Sequence, residues 1–137
     1  MFPTMPQGSL RILVADDNEF VRKGICSLLQ SREDWTLCGQ AVDGQDAVQK
    51  ARELKPDIIL MDVSMPFLNG FEAARSIHQE LPTSKTLLIT EHDADTLKGL
   101  PPQPGVFGYV LKSRIVEELI SAVETASKAP TVGCEPL

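Results

Sequence analysis

The sequence predicts an α/β fold of one domain, a single doubly wound five-stranded parallel sheet with five helices. Three observations lead there. Apolar runs of strand length alternate five times with segments whose apolar residues recur at helical spacing. The central runs are apolar along nearly their whole length instead of alternately, which marks strands covered on both faces. The length, 137 residues, suits one core. Right-handed crossovers leave few topologies, and 2-1-3-4-5 is the common doubly wound order for five strands.

Leu10-Arg11-Ile12-Leu13-Val14-Ala15 is the first strand, ended by Asp16-Asp17-Asn18. Phe20, Val21, Gly24, Ile25, Leu28 and Leu29 then outline a helix, with Asn18 as its cap and Glu19 at the positive end of its dipole. Trp35 to Val42 reads as the second strand. Asp43 caps a helix running through Leu54, with Ala47, Val48, Ala51 and Leu54 inward, and Pro56 marks the break. Ile58-Ile59-Leu60-Met61 is the third strand, ending at Asp62. Asn69-Gly70 turns the chain into a helix with Phe71, Ala74, Ile77 and Leu81 on one face, stopped by Pro82. Thr86 to Thr90 is the fourth strand. Ala94, Leu97 and Leu100 outline a fourth helix, which Pro101, Pro102 and Pro104 end after roughly two turns. Gly108 to Leu111 is the fifth strand, and Val116, Leu119, Ile120 and Val123 define a closing helix to about Lys128. Residues 1–9 read as a disordered N-terminal segment and 129–137 as a tail or a truncated linker.

Composition narrows the function. Apolar residues make up 42% and aromatics 5%, enough for a core built on aliphatic side chains. The net charge is −6, and no basic run could neutralise several phosphates, so direct nucleic-acid binding by this chain is not expected. Met1 to Ser9 lacks the charged and apolar parts of a secretory signal, and no stretch approaches the ~20 apolar residues of a membrane helix. A soluble, cytoplasmic protein without membrane contact is expected. Cys26, Cys38 and Cys134 have no CxxC spacing and no neighbouring histidines, so they read as plain thiols.

The polar groups gather at one edge. In a sheet of this order the carboxyl ends of the first and third strands border the ligand crevice. Asp16 and Asp17 end strand one, Asp62 ends strand three, Thr90 ends strand four and Lys112 follows strand five. Three carboxylates together repel unless a positive charge sits among them, and hard oxygen ligands suit an octahedral divalent ion such as Mg²⁺. Lys112 adds a second positive charge. Such a site equips an aspartate to attack phosphorus, with Lys112 and the Thr90 hydroxyl directed at the phosphoryl oxygens.

These residues resemble the receiver domain of bacterial two-component response regulators. The pieces are Val14-Ala15-Asp16-Asp17-Asn18; Ile59-Leu60-Met61-Asp62-Val63-Ser64-Met65-Pro66 with Asn69-Gly70; Leu88-Ile89-Thr90; and Gly108-Tyr109-Val110-Leu111-Lys112-Ser113. The steps of 45 residues from Asp17 to Asp62, 28 to Thr90 and 22 to Lys112 suit the family, and the likeness runs from about Leu10 to Ser127, with the receiver taken as 10–128. The last segment is most like the NarL/FixJ type, whose output is usually a DNA-binding helix-turn-helix. The resemblance implies a flavodoxin-like, CheY-like fold, with the strand order given above. It implies Asp62 as phosphoacceptor, Asp17 and Asp62 as Mg²⁺ ligands with the Ser64 backbone carbonyl, and Asp16 acting through water. Lys112 would bind the phosphoryl group, and Thr90 and Tyr109 would form the switch pair. A sensor histidine kinase is the implied partner, with a DNA-binding output domain or a partner protein downstream, in transcription regulation. Glu91, where the family usually has alanine or glycine, and His92 stand beside the site as candidates for tuning it.

Plainer roles exist for each residue. Asp16 and Asp17 suit helix caps and loops, Thr90 suits any strand, Tyr109 suits a core, and Glu91 and His92 suit a solvated loop. Among rival functions, a Mg²⁺-dependent phosphatase with an aspartate nucleophile would carry a second carboxylate two residues on, where this chain has Ser64. A flavin or nucleotide binder would carry a glycine-rich loop after strand one, where this chain has Asp16-Asp17-Asn18. A stand-alone or degenerate receiver that only docks other proteins is the remaining alternative; retention of Asp16, Asp17, Asp62, Thr90 and Lys112 speaks against a degenerate one, although Glu91 and the proline cluster depart from the family pattern. The expectation is a phosphorylation-dependent switch and not a conventional enzyme.

Overall fold

The computed structural model describes residues 9–65, 68–91 and 105–128. The elements run β1 (Leu10–Ala15), α1 (Glu19–Gln30), β2 (Trp35–Ala41), α2 (Gly44–Leu54), β3 (Ile58–Asp62), α3 (Gly70–Glu80), β4 (Lys85–Thr90), β5 (Val106–Leu111), a 3-10 turn (Lys112–Arg114) and α4 (Ile115–Lys128). The five strands form one parallel sheet in the order β2-β1-β3-β4-β5. The strand order is the expected one. Four α-helices lie among the described residues; the helix expected around Ala94 to Leu100 falls outside them, as do residues 1–8 and 129–137.

Successive strand residues point to opposite faces, so each uninterrupted apolar strand feeds two cores. Leu13, Ala15, Ile59, Met61 and Leu88 pack against Ala47, Val48 and Ala51 of α2 and Ala73, Ala74 and Ile77 of α3. Their neighbours Ile12, Val14, Ile58, Leu60, Leu87 and Ile89 pack against Ile25, Cys26 and Leu29 of α1 and Leu119, Val123 and Ala126 of α4. All five residues of β3 are buried. Each of its aliphatic side chains contributes about 1.5 to 3 kcal/mol of burial, which fixes this strand at the centre.

Three helices start on the Asx residue that follows a strand. The side chains of Asn18, Asp43 and Asn69 accept from the backbone N–H of Val21, Asp46 and Glu72 at 3.0, 2.8 and 3.0 Å. The last turn of α2 closes at Lys55, in the left-handed region with φ 49°. The Arg11 guanidinium donates to the carbonyls of Leu54 and Lys55 there, satisfying the helix end from β1.

The differences from expectation are local. β2 stops at Ala41, leaving Val42 48% exposed, while β4 starts one residue early at Lys85 and β5 two early at Val106. Phe20 and Val116, expected on inward helical faces, are 86% and 68% exposed. They flank an open cavity of about 760 Å³ between α1 and the start of α4. No helix among the described residues is long and apolar enough to cross a membrane.

Candidate functional site

The carboxyl ends of β1 and β3 lie side by side, with Ala15 in register with Met61, so the residues that follow them converge. Asp16 is held from both ends of the residue. Its N–H donates to the Ala41 carbonyl at 3.0 Å and its Oδ1 accepts from the Asn18 N–H at 2.8 Å. The side chain is fully buried, and Oδ2 has no hydrogen-bond partner among the described residues. Asp17 is exposed, whereas Asp62, the last residue of β3, is 4% exposed. One carboxylate oxygen from each of Asp16, Asp17 and Asp62 lies within 4.8 Å of the others.

The loop after Asp62 is folded tightly onto α3. The Val63 N–H donates to the Ile89 carbonyl at 3.0 Å, and the Gly70 N–H donates to the Val63 carbonyl at 2.9 Å. A Cβ at Gly70 would stand 2.6 Å from the Asp62 carbonyl oxygen and 2.9 Å from Val63 Cα, so only glycine admits this approach. Ser64, two residues after Asp62, is exposed.

Lys112 opens the 3-10 turn after β5, and its long side chain carries the ammonium to the acids. Nζ lies 3.3 Å from Asp62 Oδ1 and 3.7 Å from Glu91 Oε2. Thr90, at the end of β4 in register with Leu111, is buried. Tyr109 is half-buried against α3, its ring centroid 6.3 Å from that of Phe71 at 56°.

Burial governs the protonation of these groups. It pushes the Asp16 carboxyl above the usual range, with the charges of Asp62 and Asp17 adding and the Asn18 N–H and Lys112 opposing. Burial raises Asp62 too, against the pull of Lys112 and the Ser64 N–H. For Lys112 burial works the other way, but Asp62, Asp16 and Glu91 together outweigh it and hold its pKa above the ordinary lysine value. Tyr109 is raised by burial.

Asp16, Asp17, Asp62 and Lys112 thus form one cluster, with Thr90 and Glu91 on the same sheet edge and Tyr109 standing off against Phe71. His92 lies outside the described residues. A hard divalent cation fits the donor set: the ligands are all carboxylate oxygens, and the unpartnered Asp16 Oδ2 is the buried atom that needs a positive neighbour.

Arg22 was not legible as part of this site. From the second turn of α1 its Nη1 donates to the Asp16 carbonyl at 2.8 Å and its Nε to Gln40 Oε1 at 3.0 Å, which ties the acidic loop to α1 and β2. The available signal was its spacing, one helical turn beyond the Asn18 cap.

The family model described as the response regulator receiver domain matches residues 12–124. The uncharacterised transcriptional regulatory protein YxjL of Bacillus subtilis is 37% identical over 93% of this chain and 59% of its own length. Response regulator GacA of Pseudomonas aeruginosa is 39% identical over 83% of this chain and 53% of its own length. The chain spans about half to three-fifths of these relatives. Among solved structures, a LuxR-family two-component response regulator from Aurantimonas superposes with a TM-score of 0.79 at 34% identity, covering 90% of this chain and 88% of the other. The signal receiver domain of the putative response regulator NarL from Mycobacterium tuberculosis gives 0.77 at 30% identity, covering 89% and 98%.

Proposed function

Since the chain belongs to the response regulator receiver domain family of two-component systems, we propose that it takes a phosphoryl group from a sensor histidine kinase onto Asp62 and changes conformation in response. The observation that carries this reading is the seat of Asp62 between two further carboxylates and Lys112 Nζ, 3.3 Å away, in a site closed from below by the sheet.

In the proposed reaction an Asp62 oxygen forms a bond to phosphorus as the bond from phosphorus to the kinase histidine nitrogen breaks. The imidazole, protonated at its other nitrogen, leaves with the electron pair as neutral imidazole, and the product is an aspartyl phosphate. Lys112 passes from the Asp62 carboxylate to the new phosphoryl oxygens, and the Thr90 hydroxyl donates to one of them. Asp17, Asp62 and the Ser64 backbone carbonyl would hold Mg²⁺, with Asp16 acting through water. When bound, Mg²⁺ supplies neutralisation of charge on the transferring group. Arg22, by fixing the Asp16 carbonyl, keeps the acidic loop in place.

The shift of Thr90 toward the phosphoryl group leaves room beside β4 into which Tyr109 turns. That motion is the proposed signal to an output domain or partner protein, in transcription regulation and in the cytoplasm. The protein is a phosphoacceptor, with at most self-catalysed gain and loss of the phosphoryl group, and not a conventional enzyme.

The test is to incubate the protein with acetyl phosphate, trap the acyl phosphate with borohydride and map the site by mass spectrometry. Label on Asp62 alone, abolished by Asp62→Asn and by EDTA, is expected. Label that persists in Asp62→Asn, or that forms equally well in excess EDTA, overturns the reading.

A further inference from the structure

We infer that Glu91 is a positioning residue that shares Lys112 with Asp62 and discriminates among phosphodonors by their charge. The inference rests on the phosphoacceptor reading of Asp62 and goes beyond it.

Lys112 Nζ stands between two carboxylates of different kinds. Asp62 Oδ1, 3.3 Å away, belongs to a side chain 5% exposed; Glu91 Oε2, 3.7 Å away, belongs to one 79% exposed. Asp62 is the last residue of β3, so its place is set by the fold. Glu91 sits on the solvent side, one residue past the end of β4. It contributes no ligand to the acidic trio, and yet it adds a fourth negative charge beside the Lys112 ammonium that Asp62 faces. Glu91 is far more open to solvent than Lys112, whose side chain is 23% exposed.

Two effects follow, with the same sign. The Glu91 charge repels an anionic donor at the mouth of the site, and its hold on Nζ competes with the phosphoryl oxygens for Lys112. Both grow with the negative charge on the donor. Because Glu91 is exposed, both are screened by salt, the Debye length being about 10 Å at 0.1 M. At an effective dielectric of roughly 20 to 40, a charge one side chain's length from the reacting group changes a rate about threefold to tenfold.

The experiment compares initial rates of Asp62 phosphorylation in the parent, Glu91→Gln and Glu91→Ala. The donors are acetyl phosphate, a dianion at neutral pH, and phosphoramidate, a monoanion, each at low and high salt with the same Mg²⁺. With acetyl phosphate an Asp62 oxygen bonds to phosphorus, the bridging P–O bond breaks, and acetate leaves with the electron pair. Glutamine keeps the volume of Glu91 and alanine does not, so a charge effect moves both variants alike.

Both variants are expected to react with acetyl phosphate about threefold to tenfold faster at low salt. The gain should be smaller with phosphoramidate and shrink at high salt. A gain confined to Glu91→Ala would assign the effect to bulk and overturn the inference, as would equal gains for both donors, or none. Those results leave Asp62 labelled and the phosphoacceptor reading standing. Absence of label on Asp62 in the parent with either donor overturns both.

Discussion

Lys112 reaches Asp62 across an intervening strand: Nζ lies 3.3 Å from Asp62 Oδ1, although β4 separates β3 from β5 in the sheet. Lys112 is the first residue after β5, and its long side chain spans the gap from the strand end, with a 3-10 turn at Lys112–Arg114 leading on to α4. The acids and their counter-charge thus come from opposite halves of the sheet, and the ion pair ties those halves together.

Lys112→Ala is expected to destabilise the protein by about 1 to 2 kcal/mol in mildly alkaline solution, since it leaves Asp62 buried beside Asp16 and Asp17 without its ammonium. The raised pKa of Lys112 means that its stabilisation is fully present below the unfolded lysine value and is lost only as pH rises through the folded one. The deficit of the variant should shrink in acid, where Asp62 takes up a proton and no longer needs a partner. Urea unfolding of both proteins across a pH series checks this.

Asp16→Asn is expected to stabilise the metal-free protein. The asparagine oxygen can still accept from the Asn18 N–H, and Arg22 binds the backbone carbonyl, which the change leaves alone. The buried charge is removed, and the new amide N–H groups stand where Oδ2 was, beside the Asp17 and Asp62 carboxylates that can accept from them. Because the folded-state pKa of Asp16 is raised, its ionisation opposes folding: the penalty is absent below the unfolded value of 3.8 and builds as pH rises through the folded one. A gain of about 1 kcal/mol, or about 4 °C in Tm, is expected at neutral pH and none in strong acid. Calorimetry at the two pH values decides.

Mg²⁺ should raise the Tm of the parent, and by less in Asp62→Asn and Asp16→Asn. At tenfold its Kd a ligand specific for the folded state adds about 1.4 kcal/mol. The same cation added to all three proteins at matched ionic strength, followed by thermal melts, checks the assignment. Equal shifts in all three would remove these acids from the metal site.

Gly70→Ala is expected to cost about 1 to 3 kcal/mol and to slow labelling of Asp62, because the added methyl meets the backbone at Asp62 and Val63 and neither can yield without moving the phosphoacceptor. Chemical denaturation gives the first quantity and acetyl phosphate kinetics the second.

The strands and the site edge were legible because both rest on local signals, whereas the strand order followed from the handedness of crossovers and the common topology of such sheets. Runs such as Ile58 to Met61 mark buried parallel strands, and each of Asn18, Asp43 and Asn69 announces a helix at a strand's carboxyl end. What escaped depends on partners distant in sequence. Lys85 reads as a charge outside the fourth strand, yet it is 8% exposed as the first residue of β4. Its Nζ donates to the Ala126 carbonyl at 2.7 Å and stands 5.7 Å from the Phe107 ring, so its burial depends on where α4 ends. Phe20 and Val116 fit the helical period, but periodicity marks a face without saying how far the next helix covers it. The plane in which Tyr109 packs depends likewise on Phe71 of α3.

The sheet order β2-β1-β3-β4-β5 also has a consequence for synthesis. Of the three strands made first, β1 pairs with both β2 and β3, so a chain emerging amino end first can bring Asp16, Asp17 and Asp62 together before Lys112 has been polymerised. The half-made sheet carries an anionic pocket with no ammonium over it. Closing β5 onto β4 therefore does more than add one edge strand: it delivers the cation that relieves the strands already in place.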